Sequence, residues 1–210
     1  MKSYITLKEP CEFDFVEKKS KFKGALYPVS SSDQANEKLC EIKKKYWDAT
    51  HNCSAVIIGE NKEFMRFSDD GEPQGTAGVP MLEVLKNSGL TNILAIATRY
   101  FGGILLGAGG LVRAYTKCVS GALAVARKIE LCVCAVYELI LPYSSYGKIE
   151  NLIIANSWIK GDVIFEENVK ITINVLLEQE KKFKDEITEA FLGSIVPQKK
   201  GEMYVERPVK

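Results

Sequence analysis

The sequence predicts an α+β protein built from two domains, and three observations favour this class. The 210 residues are 46% hydrophobic and 26% charged, as in ordinary globular proteins. An apolar run at 92–98 leads through a glycine-dense turn into a segment of helical periodicity. From Glu130 onward the pattern becomes β-α-β-β-α-β, the order of a ferredoxin-like domain. We therefore predict domains at residues 1–129 and 130–210.

Local signals define the other elements of the first domain. A helix from Ser31 or Ser32 to about Trp47 has a polar cap residue at its start and lysines at its end, which suits the helix dipole. A second helix has Pro80 in its first turn and Gly89 as its terminator. Apolar alternation and turn residues predict strands at 3–7, within 12–29 (two strands, with a break near residue 20), at 54–59 and at 63–68.

The second domain shows the same signals but no cluster of chemically reactive residues. Its predicted strands are 131–141, 158–165, 168–177 and 201–206, and its predicted helices are 144–156 and 178–192. We interpret it as an interaction or positioning module. The last helix of the first domain runs almost directly into it, which indicates a fixed or hinged pair of domains.

Cysteine usage and hydropathy indicate the cellular compartment of the protein and whether it needs a metal or a cofactor. The six cysteines are Cys11, Cys40, Cys53, Cys118, Cys132 and Cys134. They form no CxxC motif, and a single histidine supplies a zinc site poorly, so we expect reduced thiols, no metal and no cofactor. No apolar run approaches the ~20 residues of a membrane span, and the N-terminus lacks a secretory signal. These features predict a cytoplasmic location and no membrane partner.

The candidate site lies within residues 68–116, where an acidic loop, a strand and a glycine turn follow one another. The acidic loop carries Asp69, Asp70 and Glu72, and Arg99 ends the strand. Glycines before a helix let an anion approach the free N–H groups of its first turn. Arg113 is predicted in or near that turn, where a cation needs a negative partner. Either Arg99 and Arg113 both pair with the acidic loop, or a bound phosphate supplies the negative charge at an anion site, and both alternatives remain open.

Two upstream features are less specific. In an extended segment Lys19, Lys21 and Lys23 would alternate onto one face, which either follows phosphates or simply protects a strand edge. His51, the single histidine, is either a functional donor or a hydrogen-bonded structural residue. The full set of candidate anion- or nucleic-acid-binding residues is Lys19, Lys21, His51, Arg99, Gly102, Gly103, Gly107, Gly109, Gly110 and Arg113.

These motifs carry a resemblance that extends over essentially the whole chain. DDGEPQGTAGVP from Asp69, TRYFGGILLGAGGLVRAYT from Thr98, KSKF from Lys19 and ATHNC from Ala49 resemble the signature of the IMPACT/YigZ family. The resemblance implies a first domain like domain 2 of ribosomal protein S5 and a ferredoxin-like second domain similar to one in elongation factor G. It corresponds to the short form of the family, without the extra RWD domain of the eukaryotic members. Those members modulate translation initiation.

The resemblance and the candidate residues together favour a binding protein rather than an enzyme. We expect a translation-linked regulator that binds RNA or the ribosome through an anion-binding glycine-loop face. A second hypothesis is an enzyme acting on a phosphorylated small molecule, with the acidic loop holding Mg²⁺. A third is a regulator that binds only a protein partner. No metal-ligand spacing and no nucleophile triad supports a peptidase.

Overall fold

The structure is a computed structural model that describes residues 1–209, and it divides into two compact units. Apart from the chain ends, these units are Lys2–Glu130 and Leu131–Glu206. The elements of the first region are β1 (Tyr4–Leu7), β2 (Cys11–Glu17), β3 (Ser20–Pro28), α1 (Ser32–Lys45), β4 (His51–Ile58), β5 (Phe64–Ser68), α2 (Gly78–Asn87), β6 (Ile93–Tyr100) and α3 (Ala108–Val125). The following elements are β7 (Lys128–Leu141), α4 (Tyr143–Asn156), β8 (Ile159–Phe165), β9 (Val169–Leu176), α5 (Glu180–Ala190) and β10 (Gln198–Pro208).

The first sheet has five antiparallel strands in the order β2-β3-β6-β4-β5. Alternate residues of its strands enter two cores. Ile93, Ala95 and Ala97 pack with α2 and α3, whereas Leu94 and Ile96 pack with α1 on the opposite face. The central strand β6 is therefore buried on both sides, which explains its continuous apolar run.

The helix boundaries follow the local signals closely. Ser31 caps α1, because its side chain accepts a hydrogen bond from the Gln34 amide at 3.2 Å. Lysines occupy the last turn of α1, and Gly89 follows α2 with a φ of +77°. Both predicted ends of these helices lie within two or three residues of the observed ones.

The second sheet has the order β1-β7-β9-β8, and β10 also pairs with β7. The order β10-β7-β9-β8, with α4 and α5 between strands, is the ferredoxin-like arrangement. Its core packs residues of β7 and β9 against both helices, with Ile149 and Phe183 fully buried. The predicted α+β class, with a ribosomal protein S5 domain 2-like first domain and a ferredoxin-like second domain, is confirmed. Among the described residues, no helix is both long and apolar enough to cross a membrane.

Candidate functional site

A row of three side chains crosses neighbouring strands at one end of the first sheet. In the strand register, Phe22 of β3 and His51 of β4 lie on either side of Arg99 of β6. The row faces the core under α2 and α3, because Phe22 belongs to that core and directly paired residues share a face. Arg99 is consequently only 5% exposed, which is rare for an arginine.

Glu72 of the acidic loop meets the charge of Arg99. Arg99 Nη1 donates to Glu72 Oε1 at 2.6 Å, and both side chains are almost fully buried. Tyr115 Oη of α3 donates to the same oxygen at 2.7 Å. Burial, together with Cys53 and Glu72 nearby, raises the pKa of Tyr115, so its hydroxyl remains a donor. This buried ion pair links β6, the acidic loop and α3.

The guanidinium of Arg99 retains an unsatisfied donor. Its Nη2 donates to Ser20 Oγ at 3.3 Å, but its buried Nε has no acceptor among the described residues. The rings of Phe22 and Phe101 lie 5.6 and 5.5 Å from the guanidinium carbon. A buried donor without a partner is a group that a bound anion or an ordered water can satisfy.

His51 presents its second ring nitrogen to the same cluster. Its Nδ1 lies 2.9 Å from the Asp70 carbonyl oxygen, and because a carbonyl only accepts, Nδ1 carries the hydrogen. The other ring nitrogen, Nε2, lies 3.8 Å from Glu72 Oε1. A neutral ring offers an acceptor there, and a protonated ring offers a donor.

The other two carboxylates of the acidic loop bind donors of the protein itself. Asp69 accepts hydrogen bonds from the amides of Gly75, Ala77 and Gly78 at 2.8, 3.0 and 2.8 Å, and thereby caps α2. Burial opposes ionisation of Asp69, but these three hydrogen bonds outweigh it and lower the pKa of the carboxyl.

Asp70 ties the acidic loop to its neighbours. Its side chain accepts from Lys43 Nζ at 2.5 Å and from the Asn52 amide at 2.7 Å. In residues 1–209, no three His, Cys, Asp or Glu side chains are arranged to hold a metal ion. The acidic loop therefore orders α2, β4 and Arg99 with its three carboxylates.

Two glycines of the turn after β6 have specific structural roles. A Cβ on Gly102 would lie 2.1 Å from the carbonyl carbon of Lys19, so only glycine fits against the β2–β3 turn. Gly107 has a φ of +72° and precedes α3 as its N-cap residue. Helix α3 has no side-chain cap and no acidic residue in its first turn. Its N-terminal N–H groups are thus left for water or a ligand.

The start of α3 differs from the sequence prediction. Gly109 and Gly110 lie inside its first turn, whereas the sequence predicted a helix that begins after Gly110. Arg113 lies in the second turn, near the first as predicted. Glycine is tolerated here because first-turn amides need no intrahelical acceptor. Close packing also favours it, since a Cβ on Gly110 would lie 3.0 Å from Leu106 Cβ.

His51 and Arg99 of the row, the acidic loop and the start of α3 line an open cavity of about 380 Å³, which we call the Arg99 cavity. It is lined by Thr50, His51, Gly71, Glu72, Pro73, Arg99, Phe101, Leu105, Leu106, Gly107, Ala108 and Leu111. A buried charged pair, an imidazole and a helix N-terminus therefore meet in a largely apolar space. Such convergence of a few polar groups is typical of a ligand site.

A smaller cavity of about 190 Å³, the Arg113 cavity, lies beyond Leu106, which lines both. It is lined by Phe15, Glu17, Lys18, Leu106, Gly110, Arg113, Ala114 and Lys117. Three of these side chains are cationic and one is anionic, and the Lys117 ammonium lies 4.6 Å from the centre of the Phe15 ring. This cavity is the more basic of the two.

The predicted site residues are thus divided between the two cavities, and some of them line neither. His51, Glu72, Arg99 and Gly107 come together in the Arg99 cavity, whereas Gly110 and Arg113 line the other one. Asp69, Asp70, Gly102, Gly103 and Gly109 line neither, although an added Cβ on Gly109 would lie 3.7 Å from Arg113 Nη1.

The predicted alternation of three lysines on one strand face is wrong for Lys19. Lys18 and Lys19 form a two-residue turn with φ values of +45° and +65°, and β3 begins at Ser20. Positive φ at both positions matches the right-handed twist of a hairpin and forms a type I′ turn. Lys21 lies in β3 with an exposed side chain and lines neither cavity.

Sequence reasoning missed several residues of the site. Tyr115, Thr50, Lys18 and Lys117 were not among the candidates. Tyr115 and Lys117 could have been found from helical spacing, since Leu111–Tyr115 and Gly110–Lys117 repeat at intervals of one and two turns. Thr50 reaches the cavity only through strand pairing, which no local signal reveals.

Comparison with known proteins supports the family on both domains. The model of the Impact N-terminal domain matches residues 18–123, and a domain of unknown function (DUF1949) matches residues 139–194. IMPACT family member YvyE of Bacillus subtilis is 43% identical over 208 residues, covering 99% of this chain and 95% of the relative. The Protein IMPACT homolog of Dictyostelium discoideum is 41% identical over 97 residues, 43% of this chain and 27% of the relative.

A solved structure shows the same fold. The crystal structure of a hypothetical protein superposes with a TM-score of 0.63 at 30% sequence identity, covering 95% of this chain and 98% of that one. The matched first-domain model contains the row of three side chains, the acidic loop and most of α3. On the full-length similarity and the matched domain, the chain belongs to the IMPACT family.

Proposed function

We propose that this IMPACT-family chain binds RNA, free or in the ribosome, through the end of the first sheet that carries the two cavities. One observation carries the proposal: the N-terminus of α3, without a cap or an acidic residue, opens on a cavity that is also lined by Arg99, whose buried Nε has no acceptor among the described residues. Phosphate oxygens are suited to both kinds of donor.

An anion in the Arg99 cavity would be held mainly by hydrogen bonds, because the cavity carries little net positive charge. Glu72 offsets the charge of Arg99, so an anion there gains mainly from the α3 amides and dipole and from His51. Contacts of this kind fix the position of a phosphate without reading a base.

The basic surface around the Arg113 cavity supplies the long-range attraction. Lys18 and Lys19 are held by their two-residue turn, and Arg113 and Lys117 lie one turn apart on α3. All four side chains are exposed. Cations fixed on a turn and a helix lose less freedom when they contact phosphates than cations on mobile segments.

The decisive experiment measures fluorescence polarisation of a labelled RNA hairpin across a salt titration. Each phosphate contact contributes about 0.9 to the slope of log K against log salt. R113Q/K117Q is expected to lower the magnitude of that slope by roughly 2. The control K181Q/K182Q removes the same charge from exposed positions of α5 and is expected to leave the slope unchanged. Equal slopes for both double variants, or no binding by the wild type at low salt, would refute the proposal.

A phosphorylated small molecule is the second candidate, because the volume of about 380 Å³ lies in the range of small-molecule pockets. A mononucleotide, tested with and without Mg²⁺, would then raise the melting temperature. Stabilisation by a nucleotide that RNA does not displace would favour this candidate.

A protein partner is the third candidate ligand. A complex recovered from a lysate that survives nuclease treatment would indicate it. We propose a cytoplasmic location for this binding, and six cysteines outside disulfide bonds are consistent with a reducing compartment.

A further inference from the structure

Trp47 is the most exposed aromatic side chain of the first domain. It is 82% exposed and follows the C-terminus of α1, whereas the other tryptophan, Trp158, is 5% exposed in the second domain. Isolated apolar side chains are common on surfaces, so exposure alone indicates nothing. The attachment and the charged surroundings of Trp47 are more specific.

The segment that carries Trp47 is fixed to the end of β6 beside the Arg99 cavity. The Thr50 amide donates to the Arg99 carbonyl at 2.9 Å, and the Phe101 amide donates to Thr50 Oγ1 at 3.0 Å. Tyr100 Oη donates to Asp48 Oδ1 at 3.0 Å. Trp47 therefore lies on a short, hydrogen-bonded connection whose Thr50 lines the cavity.

A second ring is attached to the same connection. Phe101 is 46% exposed, lines the Arg99 cavity and covers the guanidinium of Arg99. Two exposed aromatic rings are thus joined to one end of the sheet, one at the cavity and one a few residues from it.

The charged residues beside Trp47 are two exposed lysines on its N-terminal side and Asp48 on its C-terminal side, and Asp48 accepts the hydrogen bond from Tyr100 Oη. Lys44 and Lys45 are exposed in the last turn of α1, and Lys45 Nζ lies 5.0 Å from the centre of the Tyr46 ring. No acidic group among the described residues forms an ion pair with either lysine within 4.0 Å. A binding hot spot for a protein would be expected within a packed apolar patch. An exposed ring that follows two unpaired lysines in the chain instead matches a ligand in which bases alternate with phosphates.

We propose that Trp47 stacks on an unpaired base of the bound RNA, while a neighbouring phosphate occupies the start of α3. This inference rests on the proposed function and refines it, because it names a single-stranded segment as the ligand of this surface. Such segments expose the faces of their bases to aromatic side chains, whereas paired bases do not. Lys44 and Lys45 contact the phosphates next to the stacked base.

Tryptophan emission tests the stacking directly, since Trp47 and Trp158 differ so strongly in exposure. Addition of single-stranded oligoadenylate is expected to quench the emission, and a duplex of the same length is expected to quench it less. The variant W47F retains only buried Trp158 and is expected to lose the response. Polarisation of the same labelled strand is measured in parallel.

The affinities separate stacking from simple apolar contact. W47A is expected to weaken single-strand binding by about 5- to 150-fold, the range for loss of one stacked base. W47F is expected to stay within about fivefold of the wild type, and W47L is expected to resemble W47A. Equal binding by W47L and W47F would overturn the stacking.

The outcomes distinguish this inference from the proposed function. If polarisation shows RNA binding but the emission does not change, or if W47A binds as the wild type does, Trp47 has no part in binding and the proposed function stands. If neither single strands nor hairpins bind at low salt, both are overturned. Quenching by a protein fraction free of RNA, with no response to oligoadenylate, would assign Trp47 to a protein partner instead.

Discussion

Replacing Glu72 with glutamine should separate the stability of the first domain from its affinity for anions. The substitution keeps an acceptor oxygen for Arg99 Nη1 and Tyr115 Oη but removes the negative charge. The guanidinium charge of Arg99 is then left buried without a counterion. Breaking a buried ion pair costs 3–5 kcal/mol, and because the acceptor remains we expect the lower limit, about 3 kcal/mol.

Thermal unfolding followed by calorimetry measures this loss. For a chain of this length, 1 kcal/mol corresponds to about 2–4 °C, so E72Q should lower the midpoint of the first-domain transition by about 6–12 °C. The matched control is E83Q on α2, where Glu83 pairs with Lys86 at 2.7 Å on the surface. Exposed pairs contribute little, so E83Q should shift the midpoint by no more than about 2 °C.

The affinity of E72Q for RNA should change in the opposite direction. Removing a negative charge beside the Arg99 cavity favours a phosphate there by on the order of 1 kcal/mol, or about fivefold at a temperature where the variant is folded. A midpoint within 2 °C of the wild type would refute the structural role of the pair. Weaker RNA binding by the folded variant would refute the anion site.

Three further predictions concern residues of the same domain. Because hydrogen bonds hold the folded-state pKa of Asp69 below its unfolded value near about 3.9, its stabilisation is present above that value and is lost as the pH falls through the folded pKa. D69A should therefore lose about 1–2 kcal/mol at neutral pH, and its urea midpoint should decline less than that of the wild type below about pH 5. G102A should lower the melting temperature more than G103A, since a Cβ on Gly102 would lie 2.1 Å from backbone while one on Gly103 meets no atom within 4 Å. At neutral pH a maleimide should label exposed Cys40 but not Cys53, because burial raises the pKa of the Cys53 thiol to about 12. Mass spectrometry of the labelled native protein measures this, and a label on Cys53 would contradict the expectation.

Elements with local signals could be predicted from the sequence, and elements that depend on pairing could not. The cap of α1 at Ser31 and the end of α2 before Gly89 need only neighbouring residues, and both predictions are confirmed. The contact between Glu72 and Arg99 joins residues far apart in the chain, and sequence alone left it as one of two alternatives for the acidic loop. The structure shows the ion pair and also a cavity beside it, so the two alternatives are not exclusive.

The separation of the two arginines bears on the kind of ligand. Leu111 and Tyr115 are four residues apart and face the buried pair, whereas Arg113 lies about 200° around the helix axis from Leu111 and faces the Arg113 cavity. Leu106 lines both cavities, whereas Arg99 lines only one of them and Arg113 only the other. A small phosphorylated molecule would use one cavity and leave the basic surface of Lys18, Arg113 and Lys117 without a role. An extended chain of phosphates can occupy both, which is why the arrangement favours RNA over a single nucleotide.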